Sequence, residues 1–585
     1  MPLFHTPELI IQRRPIAELL AYTVSQLFPD IILLGGGTSP LGFYYDFIFD
    51  QPVHADMLAF IELHLRTLIK ENRDVRLLNM MRENAQALFL HHGQPFLAEK
   101  AGEEASNIID LIQIDQFHGL CPAFSMQSTG EAGSVKLLDA TEKKWLTEDG
   151  EVTVTRLLGT SFDNPQTLKQ FLKTYDAYLK KKSHVLIGQE MDFFSLSEQI
   201  SPVEWIWHPK GESAKQILQE WMEKEQSKQW AIEKVSTPLV VNAALFAHDL
   251  QSFPAFEVGD QVLRLSASRV PQHVHLFQRH SVLSEELPVC FSEFSAVYKR
   301  KEEGINEGML ESACELSDQL TIFCLAEQLS QELISSLHFI EQIIRIFGFE
   351  AQWYLVASRQ KSFKAKQERK ALDWIKQAIQ SYSFTYPIDS HLYEDDNNIE
   401  GPRLELRLVD EIGRQWAGPS LTIIIDRLKA WNFKAEGLEE KRDQPVILKR
   451  QIWGSLNRFI ALLIERFEGA LPLWLAPEQV RILSIGESVR SYAKTIEARC
   501  KQQGLRVRLD LRPVKLGEKI HEAEKERIPY LLIVGDQECK KQGVTVRSHR
   551  QPGKNQLQNL ETCLEQIQQE CVYPALVEYT LKRSK

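Results

Sequence analysis

The chain has 585 residues, of which 43% are hydrophobic and 25% are charged, and its net charge at pH 7 is −11. This composition predicts a globular protein of several domains, and its apolar runs are too short to cross a bilayer, which argues against a membrane protein. The eight cysteines contain no CxxC pair, so they predict reduced cytoplasmic thiols rather than a zinc ribbon or a disulfide framework.

Charge is distributed unevenly along the chain. Residues 473–585 contain 20 Lys and Arg against 14 Asp and Glu, a net charge of +6 that leaves −17 for residues 1–472. Because opposite charges attract, a polyanion such as RNA is drawn to the C-terminal part and discouraged by the rest. A solvated basic face on a small domain produces the same balance, so the asymmetry alone is a modest argument.

The first 182 residues predict an N-terminal α+β domain followed by a linker. Over residues 1–164, hydrophobic periodicity predicts amphipathic helices at Ile16–Phe28 and Ala55–Glu71. The glycines Gly35–Gly37 predict a turn, because no GK[ST] follows them to complete a phosphate-binding loop. Residues 165–182 are charged and predict a helical linker.

The remaining chain predicts two further domains. Residues 183–470 alternate helical patterns with apolar runs, which predicts an antiparallel sheet flanked by helices. The helices are predicted at Ala214–Trp230 and Ala326–Phe347, and the strands at Leu263–Ser266, Gln352–Ala357 and Arg403–Val409. Residues 471–585 alternate strands and helices from Val480 onward and then end in a hairpin and a helix, which predicts a parallel-type α/β domain.

Segments at several spaced positions resemble threonyl-tRNA synthetases. The segment PVILKRQIWGSLNRFIALLIERFEGALPLWLAPEQV, at Pro445–Val480, resembles the end of that family's catalytic domain running into its anticodon-binding domain. Val203–Gly211 resembles motif 1 of class II synthetases, which builds the dimer interface, and Leu287–Phe323 stands in the place of motif 2. Gly401–Trp416 also matches the catalytic domain, and AELLAYTVSQLFPD followed by GFYYDF resembles the start of the editing domain.

The chain is therefore identified as a divergent member of the threonyl-tRNA synthetase family. The resemblance implies a class II antiparallel-sheet catalytic core at residues 183–470, an editing-like α+β domain at 1–164 and an anticodon-binding α/β domain at 471–585. It also implies a homodimer that binds tRNA. The small ubiquitin-like domain that often precedes the editing domain has no counterpart in this sequence.

One cysteine and two histidines hold a zinc ion in the family, and that zinc selects threonine before it is joined to ATP and passed to tRNA. In this sequence the three ligand positions fall on Val270, Thr321 and Lys449. None of these is a normal zinc ligand, and a lysine ammonium repels a cation, so the resemblance implies that zinc binding is lost. The histidines nearby in HVHLFQRH have no Cys or acidic neighbour and are interpreted as packing or surface residues: His273, His275 and His280.

The ATP-contacting pair of motif 2, an arginine and a glutamate in the family, falls on Lys299 and Lys301. A lysine can neutralise a phosphate, but it cannot form the two-pronged contact of arginine. Arg403 stands for a family lysine, and Arg458 matches a nucleotide-contacting arginine of motif 3. The residual candidates for a site that takes ATP with Mg²⁺ are therefore Lys299, Arg403 and Arg458, and no catalytic residue is assigned.

The motif 2 loop, EEGINEGMLESACELSDQL, is acidic and contains no basic residue, whereas its family counterpart is rich in arginine. Glu303, Glu307, Glu311 and Glu315 recur every four residues, so a helix would align them as an acidic stripe, although two glycines weaken that helix. A solvated loop is equally consistent with the pattern. Either form repels polyanions.

Editing in the family uses an HxxxH pair and a later Cys-x-x-x-His. The matching positions are Arg14, Glu18, Cys121 and Ser125, so only the cysteine persists. A thiol without a neighbouring base or metal is a poor nucleophile, so Cys121 is interpreted as a buried structural remnant and editing as lost.

The C-terminal domain departs least from the family. Trp474, Arg512, Glu538 and Arg547 occupy positions from which relatives read anticodon bases and grip the RNA backbone, so they are the tRNA-binding candidates. Further basic residues are candidates for phosphate contact: Arg508, Lys515, Lys519, Lys540, Lys541 and Arg550.

Three functions are compatible with these residues. The leading hypothesis is a threonyl-tRNA synthetase-like pseudoenzyme, without zinc, without editing and with little or no aminoacylation, that retains binding to tRNA or another structured RNA. The second hypothesis is a divergent, zinc-free but active threonine–tRNA ligase. The third is a protein-binding scaffold, such as a partner of another synthetase, that uses the acidic motif 2 region.

Overall fold

A computed structural model describes residues 6–104, 106–121, 126–147, 150–197, 199–246, 255–279, 282–298, 308–358, 365–395, 400–425, 445–549 and 555–577. The chain divides into two units, one formed by Met1–Lys181 with Val409–Gln415 and the other by Lys182–Leu408 with Trp416–Lys585. No helix within these described ranges is long and apolar enough to cross a membrane.

The first unit contains helices and two antiparallel sheets, whose strand orders are β1-β2-β7-β6 and β3-β4-β5. Its helices are α1 (Pro7–Leu27), α2 (Ala55–Glu71), α3 (Arg82–His91), α4 (Pro95–Glu103) and α5 (Pro165–Leu179). Its strands are β1 (Ile32–Ser39), β2 (Gly42–Ile48), β3 (Arg76–Met81), β4 (Ile108–Ile114), β5 (Phe117–Leu120), β6 (Ser134–Thr147) and β7 (Gly150–Phe162).

Two predictions in this unit have different outcomes. The amphipathic pattern at 55–71 is confirmed as α2, with the predicted bounds. The predicted turn at Gly35–Gly37 is wrong, because these glycines lie inside β1 and pair with β2. A Cβ at Gly36 would lie 2.3 Å from the Tyr45 ring, so the glycine makes room for an aromatic packed across the hairpin.

The linker region forms α5, and its apolar side packs within the first unit. Leu168 and Phe171 on α5 are buried in one cluster with Leu41, Phe162 and Ile412. Ile412 lies in the Val409–Gln415 segment, which explains why that segment belongs with the first unit.

The second unit begins with the elements that build and flank an eight-stranded sheet. Its helices are α6 (His184–Glu190), α7 (Pro209–Gln226), α8 (Val270–Phe277), α9 (Leu329–Phe347), α10 (Ala365–Ser381) and α11 (Leu456–Arg466). Its strands are β8 (Phe194–Ser197), β9 (Ser201–Trp207), β10 (Ile232–Lys234), β11 (Val240–Asn242), β12 (Phe256–Val258), β13 (Gln261–Leu265), β14 (Val289–Tyr298), β15 (Cys314–Cys324), β16 (Glu350–Ser358), β17 (Ile388–Asp395), β18 (Arg403–Val409), β19 (Gln415–Ile424) and β20 (Val446–Gln451).

The eight-stranded sheet has the order β10-β14-β15-β20-β19-β18-β16-β17. Its centre is antiparallel, as the pairings of β14 with β15, β15 with β20 and β20 with β19 show, so the predicted antiparallel core is confirmed. Side chains alternate between the two faces of such a sheet. Leu320 and Leu448 belong to the hydrophobic core that includes α9, whereas Thr321 and Lys449 lie on the opposite face, which we call the polar face.

The C-terminal part of the second unit is the predicted α/β domain. Its elements are β21 (Val480–Ser484), α12 (Arg490–Gln502), β22 (Val507–Asp510), α13 (Leu516–Lys525), β23 (Tyr530–Val534), α14 (Asp536–Lys541), β24 (Gly543–Ser548), β25 (Gln556–Asn559) and α15 (Leu560–Glu570). The strand order is β22-β21-β23-β24-β25, with β21 parallel to both β22 and β23. The final hairpin and helix are confirmed as β24, β25 and α15.

A buried group of four charged residues joins this α/β domain to α7. Arg481 pairs with Glu478 and Glu526 at 2.6 Å each, and Lys210 from α7 pairs with Glu526 and approaches Glu478 at 3.4 Å. Burial alone would raise the pKa of Glu526, but the hydrogen bonds from Arg481 and Lys210 outweigh it and lower that pKa. Two cations and two carboxylates therefore balance each other at this junction.

Candidate functional site

The polar face of the eight-stranded sheet brings the predicted zinc-ligand positions together. Thr321 on β15 and Lys449 on β20 are register partners, and Lys449 also pairs with Thr422 on β19. Val270 is the first residue of α8, and His273, one turn later, forms a 2.8 Å hydrogen bond between its Nδ1 and the Thr321 hydroxyl. The three positions therefore belong to one buried region.

Lys449 is held in this region by a carboxylate and a hydroxyl. Its Nζ donates to Glu400 Oε2 at 2.7 Å and to Ser268 Oγ at 3.3 Å. The lysine is only 6% exposed, and the side chain of Glu400 is 21% exposed. A buried ammonium needs such a counter-ion because its transfer from water is costly.

His273 is fully buried and contacts Glu293 on its other ring nitrogen. Its Nε2 lies 3.4 Å from Glu293 Oε1, and Thr237 donates to the same carboxylate through both its backbone N–H and its hydroxyl. Burial alone would raise the pKa of Glu293, but the nearby His273 ring and the hydrogen bonds from Thr237 outweigh burial and lower that pKa. His273 is therefore a packed, hydrogen-bonded residue.

The donors in this region do not fit a zinc ion. Valine supplies no lone pair, the Thr321 hydroxyl is engaged by His273, and Lys449 brings a positive charge that is already paired with Glu400. Over the ranges that the structure describes, no group of three or more His, Cys, Asp or Glu side chains is arranged to hold a metal. His280 lies outside the described residues.

Two residual ATP-site candidates lie in the described chain, and both are engaged by the protein itself. Arg403 pairs with Glu405 at 2.9 Å, and burial of Glu405 is outweighed by Arg403 and Arg407, which hold its pKa at about 2. Arg458 donates from Nε to Leu310 O at 2.6 Å, from Nη1 to Ala417 O at 3.0 Å and from Nη2 to Glu315 Oε1 at 3.0 Å. Lys299 and Lys301 lie outside the described residues.

Glu315, the last member of the predicted acidic stripe, lies in a strand and not in a helix. Glu315 lies in strand β15 opposite Val297, and it is 6% exposed. Asp318, further along the same strand, is buried and accepts the backbone N–H groups of Ile452 and Trp453. These carboxylates point into the protein and add nothing to an acidic surface. Residues 299–307 lie outside the described chain.

The positions that match the family's editing histidines hold an ion pair. Arg14 Nη1 donates to Glu18 Oε1 at 2.9 Å, and Arg14 Nη2 donates to the carbonyl of Leu120 at 2.7 Å, next to Cys121. Burial raises the pKa of Glu18 although Arg14 opposes the shift. Burial also raises the pKa of the Cys121 thiol to about 12, which leaves it protonated and unreactive at neutral pH. Ser125 lies outside the described residues.

The tRNA-binding candidates differ in accessibility. Trp474 is 5% exposed and packs against Trp221 and Tyr573, with ring centroids 5.3 and 5.5 Å apart. Glu538 closes the start of α14, where it accepts the N–H of Gly535 at 2.9 Å. Trp474 therefore offers little ring surface for stacking, and its predicted RNA contact remains a prediction.

The two arginine candidates of the same domain are paired with carboxylates. Arg512 contacts Asp510 and Glu522 at 2.6 Å each, and Arg547 Nε donates to Glu524 at 2.8 Å. Among the further basic residues, Lys519 is buried and donates to two backbone carbonyls. Arg550 lies outside the described residues, and the remaining members are exposed: Arg508, Lys515, Lys540 and Lys541.

The sequence prediction missed Glu400 as the partner of Lys449. Nothing in the spacing of the two residues marks them as a pair, because they are 49 residues apart and Glu400 follows a short polar tract. The available signal was the place of Lys449 directly after the apolar residues Val446–Leu448, since a lysine buried in a central strand requires an anion nearby.

Comparisons with known proteins agree with this architecture. Residues 256–467 match the model of the tRNA synthetase class II core domain (G, H, P, S and T), and residues 479–570 match that of the anticodon binding domain. With its antiparallel core sheet and C-terminal α/β domain, the chain is a class II aminoacyl-tRNA synthetase in fold.

Similar proteins narrow the class. The chain is 29% identical over 562 residues to the threonine–tRNA ligase of Clostridium botulinum (strain Hall), which covers 95% of this chain and 87% of that protein. It is 28% identical over 570 residues to the threonine–tRNA ligase of Oleidesulfovibrio alaskensis, covering 96% and 87%. The solved RNA binding domain of the threonyl-tRNA synthetase from Cryptosporidium parvum has the same fold, with a TM-score of 0.61, 23% identity and coverage of 68% of this chain and 99% of that one. The chain belongs to the threonyl-tRNA synthetase family.

Proposed function

We propose that this chain is a pseudoenzyme of the threonyl-tRNA synthetase family that binds tRNA, or another structured RNA, with little or no aminoacylation. The observation that carries the proposal is the Lys449–Glu400 ion pair at the position of a family zinc ligand. A site that reads a substrate hydroxyl needs a polar or metal partner to reject the isostere that lacks it. Val270, Thr321 and Lys449 offer no such metal site, and Arg14 with Glu18 occupies the place of the editing histidines.

RNA binding is supported by the C-terminal domain. Its net charge of +6 contrasts with −17 for residues 1–472, and Lys540 and Lys541 are exposed at the end of α14. Lysines that contact phosphate release counter-ions, so each adds close to one unit to the slope of log K against log salt.

The central test combines three measurements on the purified full chain. Threonine-dependent exchange between ATP and pyrophosphate is expected to stay at background, metal analysis is expected to find no zinc, and tRNA is expected to bind with a steep salt dependence. Exchange clearly above background would overturn the pseudoenzyme and favour the zinc-free active ligase. That second candidate is supported by Arg458, which matches the family and lies half-buried beside the sheet.

RNA binding has its own matched variants. Lys540→Ala with Lys541→Ala is expected to lower the salt slope by about one to two units. Lys224→Ala, which removes an exposed lysine from the acidic part of the chain, is expected to leave the slope unchanged. Arg512→Ala and Arg547→Ala test the two family-matched positions in the same assay. Unchanged binding in all of these variants would contradict RNA binding by this domain.

A homodimer and a cytoplasmic location complete the proposal. One face of the β11-β13-β12 sheet carries exposed apolar side chains, with Val240, Phe256 and Val258 between 40% and 56% exposed. A second copy of the chain is the partner that would cover this face, and light scattering would measure the resulting mass.

All eight cysteines are free thiols, which supports a reducing compartment. The scaffold alternative would require a protein partner that binds more tightly than RNA.

A further inference from the structure

The environment of Lys449 combines a buried cation with a solvent-side carboxylate. The ammonium rises from the polar face of the central sheet, where its neighbours in register are Thr321 and Thr422. Its carboxylate partner, Glu400, does not belong to the sheet, because it precedes β18 and reaches Lys449 from outside. The side chain of Glu400 is 21% exposed against 8% for Lys449, so the carboxylate lies on the solvent side of the pair.

The backbone beside Glu400 is tied to the sheet. Gly401 has a φ of +153°, and a Cβ there would lie 2.2 Å from the carbonyl oxygen of Ile423 on β19. The N–H of Ile423 also donates to Pro402 O at 3.0 Å. Since only glycine permits so close an approach, the chain delivers the Glu400 carboxylate to a defined position.

A second polar side chain on the same face, that of Gln319, carries a hydrogen-bond acceptor without a donor in the described chain. Gln319 lies two residues before Thr321 on β15, so it points to the polar face about 7 Å along the strand from the Lys449 level. The residue is 2% exposed, and its Oε1 accepts no hydrogen bond from any described residue. A buried acceptor of this kind is expected to face a donor from water or a ligand.

We propose that the buried ammonium of Lys449 is a binding site for a small carboxylate, and that the protein occupies this site with its own Glu400. An incoming carboxylate pairs with the ammonium only when Glu400 leaves, and a ligand that also carries a hydroxyl donor gains a contact with Gln319. This inference rests on the proposed absence of zinc at the same positions, which metal analysis tests separately. Carboxylate binding at Lys449 does not depend on RNA binding.

The experiment removes the Glu400 carboxylate by substitution and then supplies a free carboxylate in its place. Glu400→Ala removes the tethered carboxylate and leaves a space over a buried ammonium, so the variant is expected to melt about 5 °C or more below the wild type in sodium chloride. Sodium acetate at equal ionic strength is expected to restore much of the loss with a saturable, millimolar dependence, because a four-atom ligand binds weakly. Glycolate, which adds a hydroxyl, is expected to act at lower concentration than acetate.

The controls separate this site from general salt effects. The wild type is expected to respond only at a much higher acetate concentration than Glu400→Ala, because Glu400 competes for the ammonium. The double variant Glu400→Ala/Lys449→Met is expected to lose the response. An equal response in the wild type, or a response that survives without Lys449, would overturn the proposal, as would the lack of any acetate effect in Glu400→Ala. If Glu400→Ala folds poorly, a higher folded yield in acetate than in chloride supports the proposal, and equal yields refute it.

Discussion

Two ion pairs, Arg14–Glu18 and Lys449–Glu400, include residues that the family resemblance matches to histidines, and they are built in different ways. Arg14 and Glu18 are one turn apart on α1, so the helix itself brings them to 2.9 Å. Lys449 and Glu400 are separated by 49 residues and meet at 2.7 Å through the folding of the central sheet. The first pair is a local consequence of helix geometry, and the second is a product of tertiary structure.

The two pairs also differ in burial, which decides how much each carboxylate depends on its partner. Glu18 is 1% exposed, and the side chain of Glu400 is 21% exposed. A carboxylate without access to water loses its only compensation when the cation is removed, whereas a partly hydrated one keeps some. The local pair is therefore expected to be the more sensitive of the two to loss of its cation.

The largest effect is expected when residues that can bind zinc are introduced at the three positions around Lys449. Val270→Cys, Thr321→His and Lys449→His together are expected to bring zinc content to about one ion per chain, because the three positions share one region. Metal analysis after dialysis measures this. The double variant Val270→Cys/Thr321→His retains the ammonium and is expected to bind none. Stoichiometric zinc in the wild type would contradict the view that Lys449 excludes the metal.

The next effect concerns the local pair. Arg14→Met leaves Glu18 buried without its cation and is expected to destabilise the first unit by about 3–5 kcal/mol near pH 8. Burial raises the pKa of Glu18, so its contribution to stability is present below the unfolded pKa and lost as pH rises through the folded pKa. The defect is therefore expected to shrink at pH 5, as calorimetry of the full chain would show. Arg14→Met/Glu18→Leu is the matched control and should recover most of the loss.

A smaller loss is expected when the same chemical change is made in the long-range pair. Lys449→Met leaves Glu400, which keeps partial contact with water, and the expected loss in the second unit is about 2–3 kcal/mol. Calorimetry under the same conditions compares it directly with Arg14→Met. A larger loss from Lys449→Met than from Arg14→Met would show that burial of the carboxylate does not rank the two pairs.

The smallest effect is expected for an exposed ion pair that has the same helical spacing as Arg14 and Glu18. Glu497 and Lys501 on α12 have the same four-residue spacing as Arg14 and Glu18, but their side chains are 24% and 60% exposed. Lys501→Ala is expected to change the unfolding free energy by less than about 0.5 kcal/mol. A loss comparable with that of Arg14→Met would mean that helical spacing, rather than burial, accounts for the strength of the local pair.

Elements with strong periodic patterns were predictable, and residues whose setting depends on distant contacts were not. The helix at Ala55–Glu71 and the strand at Arg403–Val409 have the predicted bounds, because hydrophobic periodicity reports which face of an element is buried. Gly35–Gly37 contradicted the local rule, since the glycines accommodate the packing of Tyr45 and its neighbours within a strand. Glycine composition does not distinguish a turn from such close packing.

The candidate RNA-binding residues show the same division. Trp474 matches the family by position, yet the C-terminal segment folds back and Tyr573 packs against its ring, while Trp221 donates to the carbonyl of Pro574 at 2.8 Å. Trp221 and Pro574 are 353 residues apart in the sequence. No sequence pattern near Trp474 therefore predicts that its ring is buried. Exposure is a property of the folded chain.

The sequence by itself determined the class II fold, membership of the threonyl-tRNA synthetase family and the identity of the residues at each family position. Residue identity alone was enough to predict that Val270, Thr321 and Lys449 make no ordinary zinc site, because ligation depends on which atoms carry lone pairs. Tertiary structure decided where each charge finds its partner. Glu400 reaches Lys449 because strand pairing and the close approach at Gly401 bring distant segments together, and charges at such sequence separation interact only after the chain has folded.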